Sequence, residues 1–137
     1  MFKNSPTFDT IIDKILPLLK DSCIVCHNAS FDLSFISTQM KNLRLPCLKN
    51  PVVDTLFLAR KYFDFRSNAL GNIVRHLNIS LNNEHRAMGD VLITRKVFDY
   101  FIKDLEKRKD IKTLKNLLKL QGRSIKIPEP EKIIFHP

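Results

Sequence analysis

Only two stretches of this chain have the pattern of β-strands, Cys23-Ile24-Val25-Cys26 and Val52-Val53-Asp54-Thr55. Both are short apolar runs, as expected of strands covered on both faces. Everything else structured carries helical spacing. Phe8, Ile11, Ile12, Ile15, Leu16 and Leu19 predict a helix to about Lys20, opened by Ser5-Pro6-Thr7 and weakened near its end by Pro17. Phe31, Phe35, Ile36, Met40 and Leu43 predict a second helix with those residues on its inner side. Short helices follow at 56–62 and 69–77, the latter capped by Ser67 and Asn68. A long one spans about 86–107, with Ala87, Val91, Thr94, Val97, Phe98 and Phe101 inward. "IKTLKNLLKL" reads as a basic amphipathic helix ended by Gly122, and the Pro-containing remainder as an extended tail. The order predicts α/β layering with parallel strands. Two strands are few for so many helices to cover, so the sheet is expected to be an incomplete one.

The 137 residues suit one ordinary domain, and 44% hydrophobic with 27% charged is a globular balance rather than a disordered one. No apolar run approaches the roughly 20 residues needed to cross a bilayer, and "MFKNSPTFD" lacks a signal-peptide core. The expectation is a cytoplasmic protein with reduced thiols. The net charge of +9 suits a polyanionic partner, and equally a solvated basic surface. The surplus is steepest after residue 100, where ten Lys/Arg face five Asp/Glu.

The segment "DSCIVCHNASFD" contains C-x-x-C-H, a haem-attachment pattern. Haem attachment needs both thiols facing one porphyrin edge. Cys23 and Cys26 flank a strand, and their separation of three puts them on opposite faces. Cys47 brings no C-x-x-C partner, which argues against zinc. The cysteines read as small core residues.

The same segment continues as His27-Asn28-Ala29-Ser30-Phe31-Asp32, where a buried strand gives way to a helix. Parallel sheets build ligand sites at that crest. Taken alone, Asp32 is also explained as a first-turn residue complementing the helix dipole. A second motif is His85-Arg86-Ala87-Met88-Gly89-Asp90. Within one helix its ends would lie about 140° apart, so His85 and Asp90 share a site only if His85 sits in the preceding loop. Histidine titrates near neutrality, which suits a general base.

H-N-A-x-F-D, then V-V-D-T-L-x-L-A-R, then a Leu-Gly-x-Ile helix, then H-x-A-x-x-D, in that order, resemble the DEDDh (DnaQ-like) 3′→5′ exonucleases, with bacterial DNA polymerase III epsilon (proofreading) subunits among the nearest relatives. The resemblance runs from about Pro6 to Lys103 and implies an RNase H-like fold. It also implies hydrolysis of DNA or RNA 3′ ends assisted by two Mg²⁺ or Mn²⁺ ions ~4 Å apart. On that reading Asp90 and Asp32 hold metal, Asp32 through water, and His85 deprotonates the attacking water. Asn28 and Phe31 touch the terminal nucleotide, although core packing accounts for Phe31 equally. Asp54 reads as a structural capping residue.

The family's opening D-x-E, on the first of three strands preceding the first helix, is not in this sequence. The expected fold is therefore an RNase H-like one lacking its first three strands, with two short parallel strands packed by helices. Asp104-Leu105-Glu106 is no substitute, because ~200° separates the two acids on a helix. They read as solvated charges pairing with Lys107 and Arg108. The expected division is an exonuclease part at 1–105 and a basic helix and tail at 106–137. With only Asp32 and Asp90 to hold cations, the chain in isolation is expected to be weakly active and marginally folded. A polymerase subunit, or a chain supplying the missing strands, is the expected partner, and no membrane is. The alternative is a non-catalytic remnant that binds nucleic acid or a polymerase, or a fragment with no role of its own.

Overall fold

The computed structural model describes residues 7–80 and 89–127. The predicted helix start at Ser5-Pro6 lies outside them. So do His85, the residues between it and Gly89, and the end of the tail.

The two predicted strands form, as β1 (Ile24–Cys26) and β2 (Val52–Asp54). They pair in parallel, Ile24 opposite Val52 and Cys26 opposite Asp54. Side chains alternate across this ribbon as the pleat requires. On one face Ile24, Cys26 and Val52 pack with Ala29, Leu33 and Ile127. On the other, Cys23, Val25 and Val53 meet the main core, built from Leu58, Ile73, Val97, Phe101, Leu105 and Leu117 among others. The cysteines fall on opposite faces, as their spacing predicts. Ile24 donates its N–H to the Pro51 carbonyl at 2.9 Å. Alternation in a parallel ladder then turns the Val25 N–H and C=O away from β2. Among the described residues no strand pairs with that outer edge.

Six helices surround the ribbon among the described residues: α1 (Phe8–Leu19), α2 (Ala29–Asn42), α3 (Thr55–Tyr62), α4 (Leu70–His76), α5 (Asp90–Lys109) and α6 (Leu114–Gln121). The architecture is mixed α/β. In α1 only Ile12 is buried. Pro17 leaves the last turn short of a donor. Just beyond the helix, Asn50 Nδ2 donates to the carbonyls of Leu19 and Ser22 at 2.7 and 2.9 Å and holds the turn into β1.

Two predicted inner faces are corrected. The buried side of α2 is Ala29, Leu33, Ser37 and Met40, whereas Phe31 is 74% and Phe35 59% exposed. Small residues let this helix approach the sheet, and with apolar residues on both sides its periodicity does not select a face. In α5 the buried positions are Val97, Phe101 and Leu105, while Val91 is exposed. The fully buried stripe begins two turns into the helix; in the first turn Ile93 packs on the core but is only partly buried. Phe101 stacks on Phe63 at 4.2 Å between ring centroids. The α4 helix starts at Leu70, and neither Ser67 nor Asn68 is its N-cap, which is Ala69.

The α6 helix is capped by the Thr113 hydroxyl and closed by Gly122 at φ +74°. Its last residue, Gln121, is fully buried. Gln121 Oε1 accepts the Asp54 N–H at 3.0 Å, and Nε2 donates to the carbonyls of Val52 and Arg123, both at 3.1 Å. One amide side chain thus takes the place of a neighbouring strand along the outer edge of β2. Gln121→Leu keeps the volume but orphans those three backbone groups. We expect it to cost about 2–3 kcal/mol in urea unfolding; a loss within experimental error would show that water replaces the amide.

Candidate active site

The carboxyl ends of β1 and β2 form one crest, and Asp54 organises it. Its Oδ1 accepts the N–H groups of Asn28 and Leu56 at 3.0 and 2.9 Å, and its Oδ2 accepts that of Ala29 at 3.0 Å. One carboxylate therefore caps α3 from within its own turn and holds the start of α2 from across the sheet. These are N–H groups that helix starts leave without partners. The capping role read from the sequence is the one observed. Asn28 makes the turn into α2 with φ +72°, a conformation asparagine tolerates better than most residues.

His27 is a strut. Its Nδ1 lies 2.8 Å from the Thr55 hydroxyl and its Nε2 lies 2.8 Å from the Asn68 carbonyl. A carbonyl only accepts, so Nε2 carries a proton. Thr55 is fully buried and its hydroxyl also reaches the Cys26 carbonyl at 3.1 Å. This chain of contacts ties the end of β1 to the start of α3 and the segment before α4. Sequence reading assigned His27 no role; a histidine directly after an apolar strand run was the available signal.

Asp32 sits in the first turn of α2 and Asp90 begins α5. Partial burial, then the negative charges of Asp54 and Asp90, push the Asp32 carboxyl above its usual range, while His27 opposes them. The charge of Asp90, from the second motif, is therefore felt at Asp32. Gly89 makes this placement with φ +55° and ψ −139°, a backbone state that glycine enters freely. Asn28 and Phe31 are exposed on the same crest, and the Asn28 side chain accepts from Ser30 Oγ at 3.2 Å. His85 lies outside the described residues.

The donors suit a hard cation. Asp54 has both oxygens committed to N–H groups, which leaves Asp32 and Asp90. Among the described residues no group of three or more His, Cys, Asp or Glu side chains could hold a metal ion. Two repelling carboxylates still match the way Mg²⁺ is held, through one or two carboxylates with substrate phosphate supplying further oxygens. Thiols are poor candidates: burial, then Asp32, Asp54 and Cys23, pushes Cys26 up to about 12. Asp104 and Glu106 lie along α5 about 20 Å beyond Asp90, and Asp104 pairs with Arg108 at 2.6 Å.

The raised Asp32 carboxyl has a measurable consequence. Between its unfolded and folded titration ranges the native state binds more protons, so stability falls as pH rises through that window and stays lower above it. Asp32→Asn is expected to raise the urea midpoint near pH ~7 and to lose this advantage near pH ~3.5, where the unfolded aspartate is protonated. An equal midpoint at neutral pH would mean the charge crowding is fully screened.

The family model for exonucleases of the RNase T type matches residues 1–98. This chain belongs to the exonuclease family. Relatives of this exonuclease domain include the PolC-type DNA polymerase III of Clostridium perfringens, 36% identical over 118 residues, which are 85% of this chain and 8% of that one. The PolC-type DNA polymerase III of Streptococcus pyogenes is 34% identical over 109 residues, 79% of this chain and 7% of that one. The exonuclease domain thus spans less than a tenth of the curated relatives it matches. Among its described residues no helix is long and apolar enough to cross a membrane.

Proposed function

We propose that this domain removes nucleotides from nucleic-acid 3′ ends, in the manner of a proofreading exonuclease of RNase H-like fold. The division proposed is a nuclease part at 1–105 and a basic helix and tail at 106–137. The supporting observation is that the Asp90 charge is among those that raise the Asp32 carboxyl. These two would hold Mg²⁺ or Mn²⁺ together with a substrate phosphate. A bound divalent cation supplies charge stabilisation at the departing oxygen and a more acidic water. Asp54 acts indirectly, by fixing the backbone from which Asp32 projects. Exposed Phe31 offers a face for the terminal base, and Asn28 a polar side chain beside it. His85 takes the proton of the attacking water. A DNA polymerase is the proposed context.

The test is digestion of a 5′-labelled single-stranded oligonucleotide with Mn²⁺. Shortening from the 3′ end, lost in both Asp32→Asn and Asp90→Asn, supports the reading. Digestion that survives either change overturns the assignment. The small carboxylate set favours one alternative, a domain that grips 3′ ends without cutting them. It would show binding of the same oligonucleotide and no shortening.

A further inference from the structure

At the other end of β2 from the crest, the connector 47–51 and the segment after α6 face each other across a groove of about 670 Å³. Lys49, Lys119, Arg123 and Lys126 line it, and all four are exposed. None is ion-paired among the described residues, and no carboxylate or aromatic ring there lines the groove. Its floor is aliphatic, from Leu48, Val52, Leu118, Ile125 and Ile127.

These features select the occupant. A single nucleic-acid strand would use the cations but find no ring on which to stack its bases. An added β-strand is blocked along β2, since Gln121 already takes the Val52 carbonyl and the Asp54 N–H. Side-chain recognition remains: aliphatic groups on the floor and carboxylates at the rim. We propose that this groove docks an acidic segment of a partner protein carrying aliphatic side chains. The proposal is independent of the hydrolytic site, from which the groove is separated by the length of β2.

Fluorescence anisotropy on the full chain tests it, with a short labelled peptide alternating Glu and Leu. The peptide is expected to bind, and one alternating Glu and Ser to bind about tenfold more weakly. Lys119→Glu with Arg123→Glu is expected to weaken the Glu-Leu peptide about tenfold or more. Lys49→Glu with Lys126→Glu does the same independently, and circular dichroism verifies that each pair folds. Equal affinity for the two peptides would reduce the groove to a patch of charge and overturn the proposal. Oligothymidylate binding that the reversals abolish, without binding of the Glu-Leu peptide, would reassign the groove to nucleic acid. Tighter binding of a peptide of residues 128–137 would assign it to the chain's own tail. Either result overturns the partner reading, as does failure of every probe to bind.

Discussion

Asp54→Ala is expected to destabilise the domain by about 3–5 kcal/mol, a large share of the 5–15 kcal/mol that holds a typical domain together. Three backbone N–H groups lose an anionic acceptor at once. Hydrogen bonds to charged groups contribute about 1.5–3 kcal/mol each, and water recovers part of the loss on the exposed side of the turn. Asp54→Asn discriminates the mechanism. Its single acceptor oxygen can still serve Asn28 and Leu56, but its NH₂ would face the Ala29 N–H, so about half the loss is expected. Urea unfolding of the three proteins is the measurement. An alanine variant within about 1 kcal/mol of the parent would show that the two helix starts do not depend on this carboxylate.

His85→Ala is expected to lower kcat by about 10²–10⁴, the usual contribution of a positioned general base. If His85 takes the proton of the attacking water, the acid limb of the parent's pH–rate profile reports its ionisation and disappears in the variant. A variant with reduced kcat and an unchanged acid limb would place His85 in positioning rather than proton transfer. Stability should change by no more than a few tenths of a kcal/mol if the side chain lies at the surface.

The sequence disclosed the layout because its strong signals were local. Two short apolar runs bounded by turn residues read as strands, and Gly122 closes α6 where capping chemistry puts it. Asp54 was legible because an acid directly before a helical run is a cap. The second half of its work, gripping the start of α2, was not, since it depends on strand register. The face of α2 was misread because Ala29 and Ser37 are buried for their small size, which a search for large apolar residues passes over. Gln121 escaped notice in a lysine-rich helix, although it continues the spacing of Leu114, Leu117 and Leu118 and so broke an apolar stripe with a polar side chain. That the Asp90 charge reaches Asp32 was legible only through the order of motifs, because nothing in the spacing alone relates the two.

The Gln121 contact makes two distant parts of the molecule a single cooperative unit. The Asp54 amide is held by a side chain 67 positions away, at the end of α6. Its hydrogen-exchange rate therefore reports undocking of that helix, and undocking frees the backbone of the residue that anchors the crest. Anything that pulls on α6 would loosen the ground beneath Asp32, and whatever clamps α6 would firm it.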